Sequence, residues 1–148
     1  MKNLNKPLII GLGILIVFGL GAIIFLFLQP APATGPTKNI ATQQGTVTVQ
    51  DYTDHPIAST DDVYVLAQAD SYEVVNLKID NSFLITLLAE PLNQSRQAAE
   101  TALLNQLKIS QADACKLNVS VTVPQSIDTT YSGQELGLSF CPNAMQLP

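Results

Sequence analysis

Two cysteines, one histidine and a cluster of aspartates around that histidine are the side chains in this sequence with the means to do chemistry. Cys115 and Cys141 are the only cysteines, and an even count in an exported domain reads first as one disulfide. A redox-active pair would place its sulfurs close in sequence, as in CxxC, whereas roughly 25 residues separate these two. Two cysteines also fall short of the four ligands that a structural zinc ion requires.

His55 sits in DYTDHPIASTDD, residues 51–62, among Asp51, Asp54, Asp61 and Asp62. Oxygen ligands with one imidazole suit a divalent cation, so His55, Asp54, Asp61 and Asp62 are the candidate metal ligands. Their spacing does not match a calcium-binding loop. Ser59 lies near His55, but no GxSxG-type elbow surrounds any serine. Nothing selects a carboxylate pair for glycoside hydrolysis, and without tryptophan the chain has no indole platform for a sugar ring. No catalytic residue and no cofactor are assigned. Two readings compete: a binding or assembly protein of the cell envelope, and a membrane-tethered hydrolase or metal-dependent enzyme using His55 and the nearby aspartates.

The envelope enters through the N-terminus. Leu8–Leu28 reads LIIGLGILIVFGLGAIIFLFL, without a charged or strongly polar residue. At about 1.5 Å per residue it spans roughly 30 Å, the thickness of the hydrocarbon core. Residues 8–28 are therefore expected to form a single transmembrane helix, with the lipid bilayer as a partner. Lys2 and Lys6 precede the span and only Lys38 follows it closely, which places residues 1–7 in the cytoplasm and the rest outside the plasma membrane. The competing reading is a cleaved secretory signal, since Ala31-Pro32-Ala33 has the small-x-small form that a signal peptidase prefers. The length of the apolar run and the flanking prolines favour a retained signal-anchor. A pilus-like subunit also begins with a long apolar helix, but no prepilin-like cleavage site and no acid within the run supports it.

All acidic residues, Asp51 to Glu135, lie beyond the span and outnumber the basic ones there. An acidic domain without a basic cluster argues against nucleic acid as a partner and leaves a protein of the envelope as the expected one.

Residues 29–44 open with QPAPATGPT, which reads as a proline- and glycine-containing stalk, and the extracytoplasmic domain is expected over residues 45–148. Gly45–Gln50 and Val63–Gln68 are rich in β-branched residues and read as strands, with residues 51–62 as the loop between them. Tyr72 to Leu88 reads as a hairpin. A three-residue turn at Asp80, Asn81 and Ser82 opposes Ile79 to Phe83, Leu77 to Ile85 and Val75 to Leu87, whereas a two-residue turn would oppose Asn76 to Ile85; the longer turn keeps one face apolar.

After Pro91 the period becomes helical to about Lys108, with Leu92, Ala99, Leu103 and Leu107 on one stripe and Gln94, Arg96, Gln97 and Glu100 on the expected polar face. Ser110-Gln111-Ala112-Asp113 has capping-box spacing ahead of Cys115. Leu117–Val123 alternates as a half-buried strand, and Leu136–Cys141 reads as a last strand. This order predicts an α+β fold: an N-terminal transmembrane helix, then a small domain with a mostly antiparallel sheet, one main helix packed on it and one disulfide.

Ala98–Leu107 (AAETALLNQL), Ile109–Pro124 (ISQADACKLNVSVTVP) and Ser132–Pro142 (SGQELGLSFCP) resemble uncharacterised single-span anchored proteins of small-genome candidate-phylum bacteria. The resemblance covers roughly residues 83–142 and includes both cysteines. Lys108 departs from it, standing where a glycine is expected to end the helix. The resemblance implies a bacterial envelope setting and carries no catalytic residue across.

Overall fold

The computed structural model describes residues 35–147. The expected span at 8–28, the segment 1–7 and the Ala31-Pro32-Ala33 site lie outside these residues. Among the described residues, no helix is long and apolar enough to cross a membrane.

The domain is α+β. β1 (Thr37–Thr42) and β2 (Gly45–Gln50) form an antiparallel ribbon, closed by a turn at Gln43 and Gln44 and released by Gly45 at φ 115°, a backbone conformation that glycine adopts readily. β3 (Ala58–Ser59), β4 (Val63–Ala69), β5 (Tyr72–Leu77), β6 (Ser82–Leu87) and β7 (Val119–Thr122) form a second sheet in that spatial order. Its pairings are antiparallel except β6 with β7, which is parallel and reached through the helical segments α1 (Leu92–Leu107) and α2 (Gln111–Ala114). α1 packs across β4, β5 and β6. The core between them gathers Leu66, Val74, Phe83, Ile85 and Leu87 from the sheet, Leu92, Ala99, Leu103 and Leu107 from α1, and Val47 and Val49 from the ribbon.

Four expectations need correction. β1 occupies residues assigned to the stalk, so ordered structure begins before residue 45; TKNIAT carries one large apolar side chain, Ile40, and becomes a strand by pairing with β2 rather than by its own pattern. The loop 51–62 contains the two-residue strand β3, which pairs with Tyr64 and Val65. The hairpin register is neither of those considered: Leu77 faces Ser82, Asn76 faces Phe83 and Val74 faces Ile85, across a four-residue turn from Lys78 to Asn81. Asp80 fixes that turn by accepting from the Ser82 hydroxyl at 2.6 Å and the Ser82 N–H at 3.0 Å, bonds that hold its carboxyl below the usual range. Asn81 takes the left-handed conformation, φ 57°, and Ile79 is left 93% exposed at the tip. Finally, Leu136–Cys141 forms no strand; Leu136 and Leu138 are buried in the core from an irregular segment.

The helix was legible. α1 buries its expected stripe, and Ser110 caps α2 by accepting from the Asp113 N–H at 3.1 Å while its hydroxyl donates to the Asp113 carboxylate at 2.8 Å. α1 ends on Lys108 in the left-handed conformation, φ 53°, with its N–H bonded to Leu104 O. A side chain there is strained and glycine is not. Lys108→Gly is expected to stabilise the domain by about 0.5–1 kcal/mol, the relief outweighing the flexibility gained by the unfolded chain. A lower urea midpoint than the parent's would contradict this.

Candidate functional site

The residues singled out for metal or hydrolytic chemistry are not drawn together. Asp54, His55, Asp61 and Asp62 are all exposed. Among the described residues no three His, Cys, Asp or Glu side chains converge as a metal site would require. Asp51 is committed locally, accepting from the Thr53 N–H at 3.0 Å and the Thr53 hydroxyl at 2.7 Å, and these bonds hold its carboxyl below the usual range. Ser59 does meet a basic group: Lys78 Nζ lies 3.1 Å from its hydroxyl. That ammonium also donates to the Thr60 carbonyl and stands 4.1 Å from the Tyr64 ring centroid, so its contacts use it as a donor and a cation. Cys115 and Cys141 form the expected disulfide, with Cα atoms 5.7 Å apart.

What the fold does build is a groove. The β1–β2 turn, the β5–β6 turn and the segment Cys115–Asn118 enclose an open cavity of about 600 Å³. Its polar walls are Thr42, Gln43, Gln44, Asn81 and Asn118, above a floor that includes Ile40 and Leu117, both buried. Two charged groups stand at its rim: Asp80, whose carboxylate accepts from Ser82 and is held in its charged form by doing so, and Lys116, paired with Asp113 at 2.7 Å. Between these rim charges the groove presents neutral donors and acceptors, a lining suited to amide or hydroxyl groups.

Lys38 fixes the ribbon against the β5–β6 turn. Its Nζ donates to Asn81 Oδ1 at 3.1 Å and to the Tyr52 hydroxyl at 3.4 Å, and lies 5.0 Å from the Tyr52 ring centroid. Tyr52 in turn meets Tyr64 and Phe83 edge-on, at centroid distances of 6.1 and 5.8 Å. Burial, helped by the Asp51 carboxylate and Tyr64, pushes the Tyr52 hydroxyl up to about 12. In the unfolded chain it ionises near 10, so the folded state holds this proton more tightly. The stabilisation is complete below about pH 10 and is lost as pH rises from about 10 to about 12. Tyr52→Phe is expected to abolish this part of the alkaline decline, read from thermal midpoints across that range; an unchanged profile would show that other groups carry it.

The polar face expected of α1 conceals a second feature. Gln94 and Gln97 are exposed, but Arg96 and Glu100 are buried. Arg96 Nε lies 3.3 Å from Glu100 Oε1 and its guanidinium donates to Met145 O at 2.7 Å. Glu100 accepts from the Ser139 N–H and, at 2.5 Å, from its hydroxyl. Spacing could have found the pair, because residue 96 follows Leu92 by four and precedes Ala99 and Leu103 by three and seven, which puts it on the apolar stripe. This network anchors the C-terminal segment, as does Glu135, whose Oε1 accepts from the Val121 N–H at 2.8 Å on the outer edge of β7.

In comparisons with protein-family models, curated proteins and solved structures, the chain matches none, so the reading of the groove rests on its own geometry.

Proposed function

We propose that the chain is a membrane-anchored protein of the cell envelope whose C-terminal domain binds a protein partner outside the cytoplasm. Residues 8–28 serve as the anchor, with the N-terminus inside. The observation that carries the binding reading is the groove, a concave surface of mostly neutral hydrogen-bonding side chains held in place by Lys38 and Asp80. The Cys115–Cys141 disulfide supports an oxidising compartment, and the resemblance over residues 83–142 adds a bacterial envelope setting. The enzymatic alternative gains nothing from the positions of His55, Asp54, Asp61 and Asp62.

Chemical cross-linking of the full chain in its native membrane is expected to give discrete, reproducible adducts with another envelope protein. Absence of any adduct at saturating cross-linker would overturn the binding reading. Non-reducing mass spectrometry of the same material is expected to recover Cys115 linked to Cys141, and free thiols there would contradict the compartment.

A further inference from the structure

The ladder of the β1–β2 ribbon determines which backbone groups it leaves free. Thr42 pairs with Gly45 across a two-residue turn, which makes that pair the hydrogen-bonded kind. By alternation Lys38, Ile40 and Thr42 bond across to β2, and Thr37, Asn39 and Ala41 turn their N–H and C=O groups outward. No described backbone group outside the ribbon bonds to any of these three. Asn39 and Ala41 are exposed, and the edge carries no proline or bulge to blunt it; its one charged side chain, Lys38, is drawn to Tyr52 and Asn81.

The edges of the second sheet are closed or short. On β7, Val121 is occupied on its outer side by Glu135 Oε1 and by the Leu136 N–H at 3.0 Å. β3 offers two residues. The outer edge of β2 adds no lining residue beyond Gln44 in the turn, whereas Ile40, Ala41 and Thr42 of β1 line the groove opposite Lys116, Leu117 and Asn118.

We propose that the groove receives an extended, uncharged peptide segment of the partner, which adds to β1 as a third strand. The inference rests on the binding reading above and names the mode by which that site works. Main-chain pairing with Asn39 and Ala41 supplies the attachment, as in other strand-addition complexes, and the amide side chains opposite supply the specificity. The edge from Asn39 to Thr42 measures about 10 Å, enough to pair roughly four residues. The walls between the rim charges of Asp80 and Lys116 are neutral, so an uncharged segment matches the amides and hydroxyls that line the groove.

The test pans a random dodecapeptide phage library against the full chain in nanodiscs and measures the selected peptides by fluorescence anisotropy. Selected peptides are expected to share an uncharged stretch of about four residues. Ala41→Pro removes an outward N–H and leaves the ladder to β2 intact, so it is expected to weaken binding at least about tenfold, while Thr48→Pro on the opposite edge leaves it unchanged. Should Ala41→Pro unfold the domain, the wild-type chain still decides: N-methylation of alternate peptide residues is expected to abolish binding in one of the two registers and spare the other. Equal loss or no loss in both registers, no enriched peptide, or enrichment of charged peptides would each overturn the proposal. Self-association that Ala41→Pro abolishes and peptides fail to compete would assign the edge to a second copy, and overturn it too. If cross-linking finds an envelope partner while these peptide tests fail, the binding reading stands and strand addition falls; if cross-linking finds none, the binding reading itself falls.

Discussion

Glu100→Ala is expected to remove about 3–5 kcal/mol of stability, enough to leave a domain of this size partly unfolded at growth temperature. The carboxylate lies 3% exposed on α1 and accepts from Arg96 Nε, the Ser139 N–H and the Ser139 hydroxyl. Truncation leaves a buried guanidinium with Met145 O as its remaining partner and strips Ser139 of its acceptor. The cost is therefore that of an uncompensated buried charge, which exceeds the net worth of the pair. Replacing both members, Arg96→Leu with Glu100→Leu, removes the charge along with its partner, so the double variant is expected to lose less than Glu100→Ala alone. Urea midpoints of the two variants and the parent decide the matter. A loss below about 1 kcal/mol for Glu100→Ala would show that solvent reaches the pair and screens it.

That pair also marks how far the sequence could be read. The extent of α1, its apolar stripe and the Ser110 cap were legible because each is encoded within a few residues of itself. The Cys115–Cys141 link was legible because two cysteines permit one pairing. Arg96 and Glu100 were assigned to solvent by residue type, although their spacing put them on the buried stripe; the groups that satisfy them, Ser139 and Met145 O, arrive from a segment without periodicity. The hairpin register failed for a related reason. An apolar face through Val75, Leu77 and Ile79 favours the three-residue turn, yet Asp80 and Asn81 close a wider turn that leaves Ile79 in water and sets buried Asn76 opposite Phe83. Asn76 is half satisfied there: its Nδ2 donates to Ser82 O at 3.0 Å, while its buried Oδ1 has no hydrogen-bond partner among the described residues. The groove was not legible at all, since three turns distant in sequence meet to form it, and the strand that supplies its free edge has no alternating pattern to announce it.

Replacing both cysteines, Cys115→Ser with Cys141→Ser, is expected to cost about 3.5 kcal/mol, the loop-closure value for a separation of 26 residues. The loss should not be uniform. The disulfide ties the end of α2 to the segment that buries Leu136 and Leu138, covers the edge of β7 through Glu135 and provides the partners of Arg96 and Glu100. Without it this segment is held by the polar network and two buried leucines, so it should open before the sheet does. Hydrogen exchange is expected to quicken at the Val121 and Ser139 amides, which donate to Glu135 and Glu100, while Ile85 in the sheet centre stays protected. The two largest effects then cannot be independent, because both act through one segment: once the disulfide has been removed and the segment is loose, Glu100→Ala has less native structure left to lose. The triple variant should therefore be destabilised by clearly less than the sum of the separate losses. Strict additivity would mean that the polar network and the disulfide secure separate parts of the fold.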